Sequence, residues 1–117
     1  MITNSKLTIY HKEFDVENRI EKWIRFNYSE VWFFGGHGAG IDKGYENAND
    51  VQIRIPYDLY EDLNIDDFKI GDIIVKGDLN LDINVQQDIP KTYDVYNITS
   101  INNNDFGMNP HIHLGGK

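Results

Sequence analysis

The sequence predicts an all-β fold: a small barrel or sandwich of about six to eight strands, with long loops and at most one short helix. Three observations lead there. Apolar and polar residues alternate with period two in residues 6–11 and 51–55, and residues 93–101 are a strand by propensity. Those runs are built from β-branched and aromatic side chains, which suit a pleated, half-buried surface. Clusters of Gly, Asn, Asp and Pro separate them at short intervals. At 117 residues the chain has the length of one domain, residues 1–117, with enough surface to bury a single core.

Residues 70–77, I-G-D-I-I-V-K-G, form the organising stretch. Ile73, Ile74 and Val75 are fenced by Gly71-Asp72 on one side and Gly77-Asp78 on the other, which reads as a short buried strand between two turns that the rest of the chain must cover. Before it, residues 6–11 place Leu7 and Ile9 on one face and Thr8 and Tyr10 on the other as a first strand, and residues 14–18 follow as a polar turn. Residues 19–28 fit two patterns. Val16, Ile20, Trp23, Ile24 and Val31 fall near helical spacing behind Asp15, yet aromatic and β-branched residues crowd the segment and alanine and leucine are absent from it. Two strands with a bend at residues 27–30 are the expectation, and a helix is the alternative.

Residues 35–50 read as a long exposed loop rich in glycine and turn formers. Val51, Ile53 and Ile55 then face a core, with Gln52 and Arg54 outward, until Pro56 ends the strand. Residues 57–69 form an acidic surface connection with a helical turn near 59–63. Leu79, Leu81, Ile83 and Val85 alternate with polar residues as an edge strand would, and residues 93–101 and 111–114 make a C-terminal hairpin.

Composition narrows the function. The formal charge of −8, from 19 acidic and 11 basic residues, repels phosphate backbones, and the lysines do not gather into a stripe. Without cysteine there is neither a disulfide nor a thiolate metal site, which fits a reducing compartment. The first residues lack the basic and apolar regions of a signal peptide, and no apolar run reaches the roughly 18 residues of a bilayer span, so a soluble protein without a membrane partner is expected.

Catalytic motifs are missing. The glycine run at 35–40 is followed by no Gly-Lys-Ser/Thr and is flanked by no βαβ unit, and Ser5, Ser29 and Ser100 lack the setting of a nucleophile elbow. The acids Asp58, Glu61, Asp62, Asp66 and Asp67 lack the alternate spacing of a calcium loop and read as a solvated face. Tyr28, Trp23, Trp32, Phe33 and Phe34 read as core. His111 and His113, two apart on a strand, leave on one face and could share a metal ion, but the residues nominate no third ligand. No cofactor is expected. The loop residues Gly35, Gly36, His37, Gly38, Ala39, Gly40, Ile41, Lys43, Gly44 and Tyr45 are the candidates for a contact that orders against a neighbouring subunit.

Taken together, residues 6–12 (K-L-T-I-Y-H-K), 53–56 (I-R-I-P), 71–77 (G-D-I-I-V-K-G), 96–99 (Y-N-I-T) and the ending 113–117 (H-L-G-G-K) carry a resemblance across nearly the whole chain. The sequence resembles a family of small structural proteins encoded beside head and tail genes of tailed bacteriophages and prophages of low-GC Gram-positive bacteria. By size and position such proteins resemble neck components: head-completion or stopper proteins and adaptors, β-rich and assembled as rings between portal and tail. That resemblance implies a non-enzymatic subunit of a head–tail connector. Its partners would be its own copies in a ring, a dodecamer in preference to a hexamer, together with a portal or adaptor protein and tail proteins. DNA would pass through the channel without specific binding, which an acidic lumen favours. The location would be the virion neck, reached from the host cytoplasm during assembly. The glycine loop and the acidic connection are the segments expected to contact neighbours or the channel. The alternative is a small metal-dependent enzyme or ligand-binding barrel that uses His111 and His113.

Overall fold

The computed structural model describes residues 3–35, 50–104, 107 and 109–117. Six antiparallel strands close into a barrel: β1 Ser5–Asp15, β2 Ile20–Gly35, β3 Val51–Pro56, β4 Ile73–Lys76, β5 Val95–Asn104 and β6 His111–Gly116, in the order β1-β2-β3-β6-β5-β4 and back to β1. Among the described residues, helix is confined to 3₁₀ turns such as Tyr57–Leu59, Ile65–Asp67 and Gln86–Asp88. The all-β barrel expectation is therefore met.

The run at Ile73, Ile74 and Val75 is buried on both sides of the sheet. Ile74 points inward with Leu7, Ile9, Ile53, Ile98 and Leu114 in the barrel core. Ile73 and Val75 point outward, and with Tyr10 they form a second core under residues 79–89. This explains why the run is apolar throughout and does not alternate. The flanking glycines do what their positions require. Gly71 and Gly77 have φ of 96° and 121°, a region that disfavours any side chain.

Residues 79–85 do not form an edge strand, contrary to the alternation. Leu79, Ile83 and Ile89 are buried whereas Leu81 and Val85 are exposed, so the apolar spacing is nearer four than two and the segment lies as a strap across the outer face of β1, β4 and β5. Its polar fastenings are specific. The Thr8 hydroxyl donates to Gly77 O (2.9 Å) and accepts from Leu79 N (2.9 Å), the Tyr10 hydroxyl donates to Leu81 O, and Asn27 Nδ2 donates to Leu79 O (3.0 Å).

Residues 20–28 belong to a strand and not a helix, with Arg19 in the turn before it, and β2 is one strand of 16 residues where two had been expected. The expected bend survives as a bulge: Ser5 pairs Val31 and Leu7 pairs Tyr28, so β2 carries one extra residue there. That slip moves the inward set from Phe26 and Tyr28 to Val31 and Phe33. The turn after β1 is shorter than predicted, because Phe14 and Asp15 still pair with Glu21 and Ile20. Asp15 holds it: its carboxylate accepts from the backbone N–H of Glu17 and Asn18 and from the Asn18 side chain, and the two Asn18 hydrogen bonds, then Lys22, lower its pKa.

Candidate functional site

The pairing register shows where the barrel stops and a projection begins. β4 pairs with β1 only over Leu7, Thr8, Ile9 and Tyr10, and β3 pairs with β2 only from Trp32 to Gly35, whereas β1 and β2 pair with each other out to Asp15 and Ile20. The outer part of this hairpin is therefore a two-stranded ribbon without a third strand on either side, and of its outward backbone groups Lys12 N is taken by Asp72 and Glu30 N and O by the Tyr60 hydroxyl. Its end is apolar where water would favour charge: Phe14, Val16 and Ile20 are 60%, 76% and 51% exposed. Phe14 also lines a shallow concavity of about 280 Å³ with Ile70, itself exposed. Isolated ribbons are marginal in water, and this one is anchored at its root by Arg25 Nη1 to Asp82 Oδ1 (2.7 Å) and by Trp23 packing under the strap.

Inside the root lies a buried hub. Asp72 is fully buried, and its carboxylate accepts from Lys12 N (3.1 Å) and Lys69 N (2.9 Å) and meets His11 Nδ1 at 2.7 Å. Sequence reading missed this pair. The partners are 61 positions apart, and only the barrel register, with Tyr10 opposite Ile73, sets His11 beside Asp72.

Next to the hub, β2 and the acidic connection enclose a groove of about 510 Å³, within the range of roughly 300–1,000 Å³ typical of binding clefts. Phe26, Tyr28 and Tyr60 form aromatic walls, with Tyr28 and Tyr60 edge to face at 5.2 Å, and Glu61, Asp62 and Asp67 supply carboxylates. The Tyr60 hydroxyl donates to Glu30 O (2.7 Å) and accepts from Glu30 N (2.8 Å), which fixes the connection to β2. Burial raises the pKa of Asp67, an effect partly offset by His11. Burial likewise pushes the Tyr28 phenol up. Glu61 and Asp62 are exposed, as expected of a solvated face, and with the partly buried Asp67 they also rim the cleft.

The opposite half of the barrel carries a different surface. On the outer face, Phe34 stacks on Trp32 (5.8 Å, 10° between planes) and the Arg54 guanidinium lies 4.6 Å from the Trp32 ring. Phe34, read as core from the sequence, is 66% exposed because Val31 and Phe33 take the inward positions. His111 and His113 stand on this same face, as their spacing predicted, with rings 6.3 Å apart. Their nitrogens are engaged: His111 Nδ1 with Asn109 O (2.7 Å), His111 Nε2 with the Asn104 amide (3.3 Å) and His113 Nε2 with Gln52 Oε1 (2.6 Å). No group of three or more metal-ligating side chains occurs among the described residues.

Burial, then the charges of Arg54 and His111, holds the His113 pKa below its ordinary 6.5. A depressed imidazole is protonated later in the folded than in the unfolded chain, so this stabilisation is present above the ordinary value and is lost as pH falls through the depressed one. Melting temperature should accordingly fall between about pH 7.5 and about pH 5.5 by more in wild type than in His113→Gln. Equal falls in the two proteins would show that His113 does not couple to folding.

Of the proposed contact loop, Gly35 is placed and residues 36–49, including Gly36, His37, Gly38, Ala39, Gly40, Ile41, Lys43, Gly44 and Tyr45, lie outside the described residues. Gly35 closes the base of the β2–β3 pair opposite Val51, with φ of 94°, and a side chain there would meet Asp50 O. With the barrel, ribbon and groove in place, the family can be stated. The chain belongs to DUF6751. This family of unknown function matches residues 2–117, so ribbon, groove and strap all fall within the matched DUF6751 region. No curated protein and no solved structure matches the chain.

Proposed function

We propose that this protein is a structural subunit of a tailed-phage virion neck, a ring-forming head–tail connector of the head-completion or stopper type that joins the portal side to the tail. The observation that carries the reading is the projecting ribbon. Among the described residues it holds three large apolar side chains in solvent at its end, and its two strands have open edges, an arrangement that is costly alone and useful only against a partner. The resemblance in residues 6–12, 53–56, 71–77, 96–99 and 113–117 supplies the setting. The net charge of −8 agrees with a wall that DNA passes without being held. The alternative built on His111 and His113 is weaker, because three of their four ring nitrogens already have partners within the barrel.

The test uses the triple variant Phe14→Ser, Val16→Ser, Ile20→Ser. All three side chains are exposed, so its melting temperature should stay close to wild type. Phage carrying it should accumulate separate filled heads and tails. Normal joining of heads and tails by this variant would remove the basis for the proposal.

A further inference from the structure

The groove and the outer aromatic face are complementary to each other, and on one molecule they cannot meet. Phe26 and Tyr28 open the groove on the inward side of β2, whereas Trp32 and Phe34 stand on its outward side. At roughly 3.3 Å per residue, the four positions from Tyr28 to Trp32 put the near edges of the two surfaces about 13 Å apart along one strand, on opposite sides of it. We propose that the Trp32–Phe34–Arg54 face of one copy docks in the Tyr28–Tyr60 groove of the next, a head-to-tail contact between copies of this chain that rests on the ring reading above.

Chemistry selects the second copy as occupant. The groove has aromatic walls, three carboxylates, and no lysine or arginine in its lining. A fitting occupant is apolar or aromatic with a cation beside it. The outer face offers that combination: Phe34 protrudes as an open ring, and Arg54 lies on the other member of its stack. The outward side chains beside it on β3 and β6, Gln52, His111 and His113, include no carboxylate, and the nearest acids along its strands are Glu30 and Asp50, each two positions beyond it. The ion pairs among the described residues involve His11, Lys12, Lys22 and Arg25 with Asp72, Glu21, Asp15 and Asp82. Among the described residues, Arg54 on the face and Glu61, Asp62 and Asp67 in the groove therefore make no ion pair. Each surface lacks what the other carries.

Because the two surfaces differ, the contact is heterologous, and repeated rotation by it builds a ring when the rotation closes. It needs no free strand edge, which leaves the ribbon to engage other layers of the assembly. The acid–arginine pairing gives register, and insertion of Phe34 into the apolar groove gives affinity.

Two variants test this, each altering only exposed side chains: a face variant, Phe34→Ser with Arg54→Gln, and a groove variant, Glu61→Lys with Asp62→Lys. Sedimentation at protein concentrations up to about 1 mM, where weak contacts populate, reads the outcome. Wild type should grow beyond a dimer with concentration, and each variant alone should stay monomeric. An equimolar mixture should form a one-to-one heterodimer and stop, since it holds one intact face and one intact groove. Wild type that associates while either variant associates equally well, or while the mixture remains monomeric, overturns this contact and leaves the ring reading standing. Wild type that stays monomeric throughout overturns both. Circular dichroism of the variants confirms that a lost contact is not lost folding.

Discussion

Asp72→Ala should destabilise the protein by about 3–5 kcal/mol, a large part of the stability of a domain this size. The carboxylate is fully buried and collects Lys12 N from β1, Lys69 N from the acidic connection and the His11 ring. Its own backbone extends the hub: Asp72 N donates to Lys69 O (3.0 Å), and Asp72 O accepts from Ile98 N (2.8 Å) in β5. Removing the carboxylate strands two backbone donors without water, and each buried donor left unpaired costs about 1–3 kcal/mol. His11→Ala should cost less, about 1–2 kcal/mol, because both backbone donors keep their acceptor. Urea denaturation of the two variants gives the comparison. A loss under about 1 kcal/mol for Asp72→Ala would mean that water reaches the hub and replaces the carboxylate.

The hub also marks the limit of what the sequence discloses. Alternation exposed β1 and β3, β-branched and aromatic propensity exposed β5, the turn formers at 102–107 set β6 beside it, and the fenced run at 73–75 exposed β4 because glycines bracket it. Alternation misled at 79–85, where Leu81 and Val85 keep strand-like spacing but only Leu79 and Ile83 are buried. A strap satisfies its backbone through Thr8, Tyr10 and Asn27 and so needs no neighbouring strand, and that choice depends on residues more than fifty positions away. The ribbon was hidden for a related reason. Its strands continue past the barrel, so Phe14, Val16 and Ile20 look like ordinary strand and turn residues until register shows them without a core. His111 and His113 were legible as a pair on one face, since two-residue spacing in a strand decides it. The Trp32–Arg54 contact and the groove needed the β2–β3 register and the fold of the acidic connection onto Glu30.

Ile73→Ala and Ile74→Ala should each cost about 2–5 kcal/mol, yet they should fail in different places. Both side chains are fully buried and adjacent in one strand of four residues, so propensity and strand pairing are nearly equal between the variants. Ile74 fills the barrel interior, where its loss opens a cavity among residues from all six strands and from the acidic connection at Phe68. Ile73 lies on the outside with Tyr10, Leu79, Ile83 and Ile89, so its loss weakens the seat of the strap. The strap holds on by a few hydrogen bonds and these apolar contacts, which makes it a unit able to open ahead of the barrel. Amide exchange should then show protection lost first in residues 79–89 for Ile73→Ala. For Ile74→Ala it should fall throughout β1 and β3–β6, in step with global stability. Equal exchange patterns in the two variants would mean that strap and barrel unfold as one cooperative body, and that the outer core is an extension of the inner one.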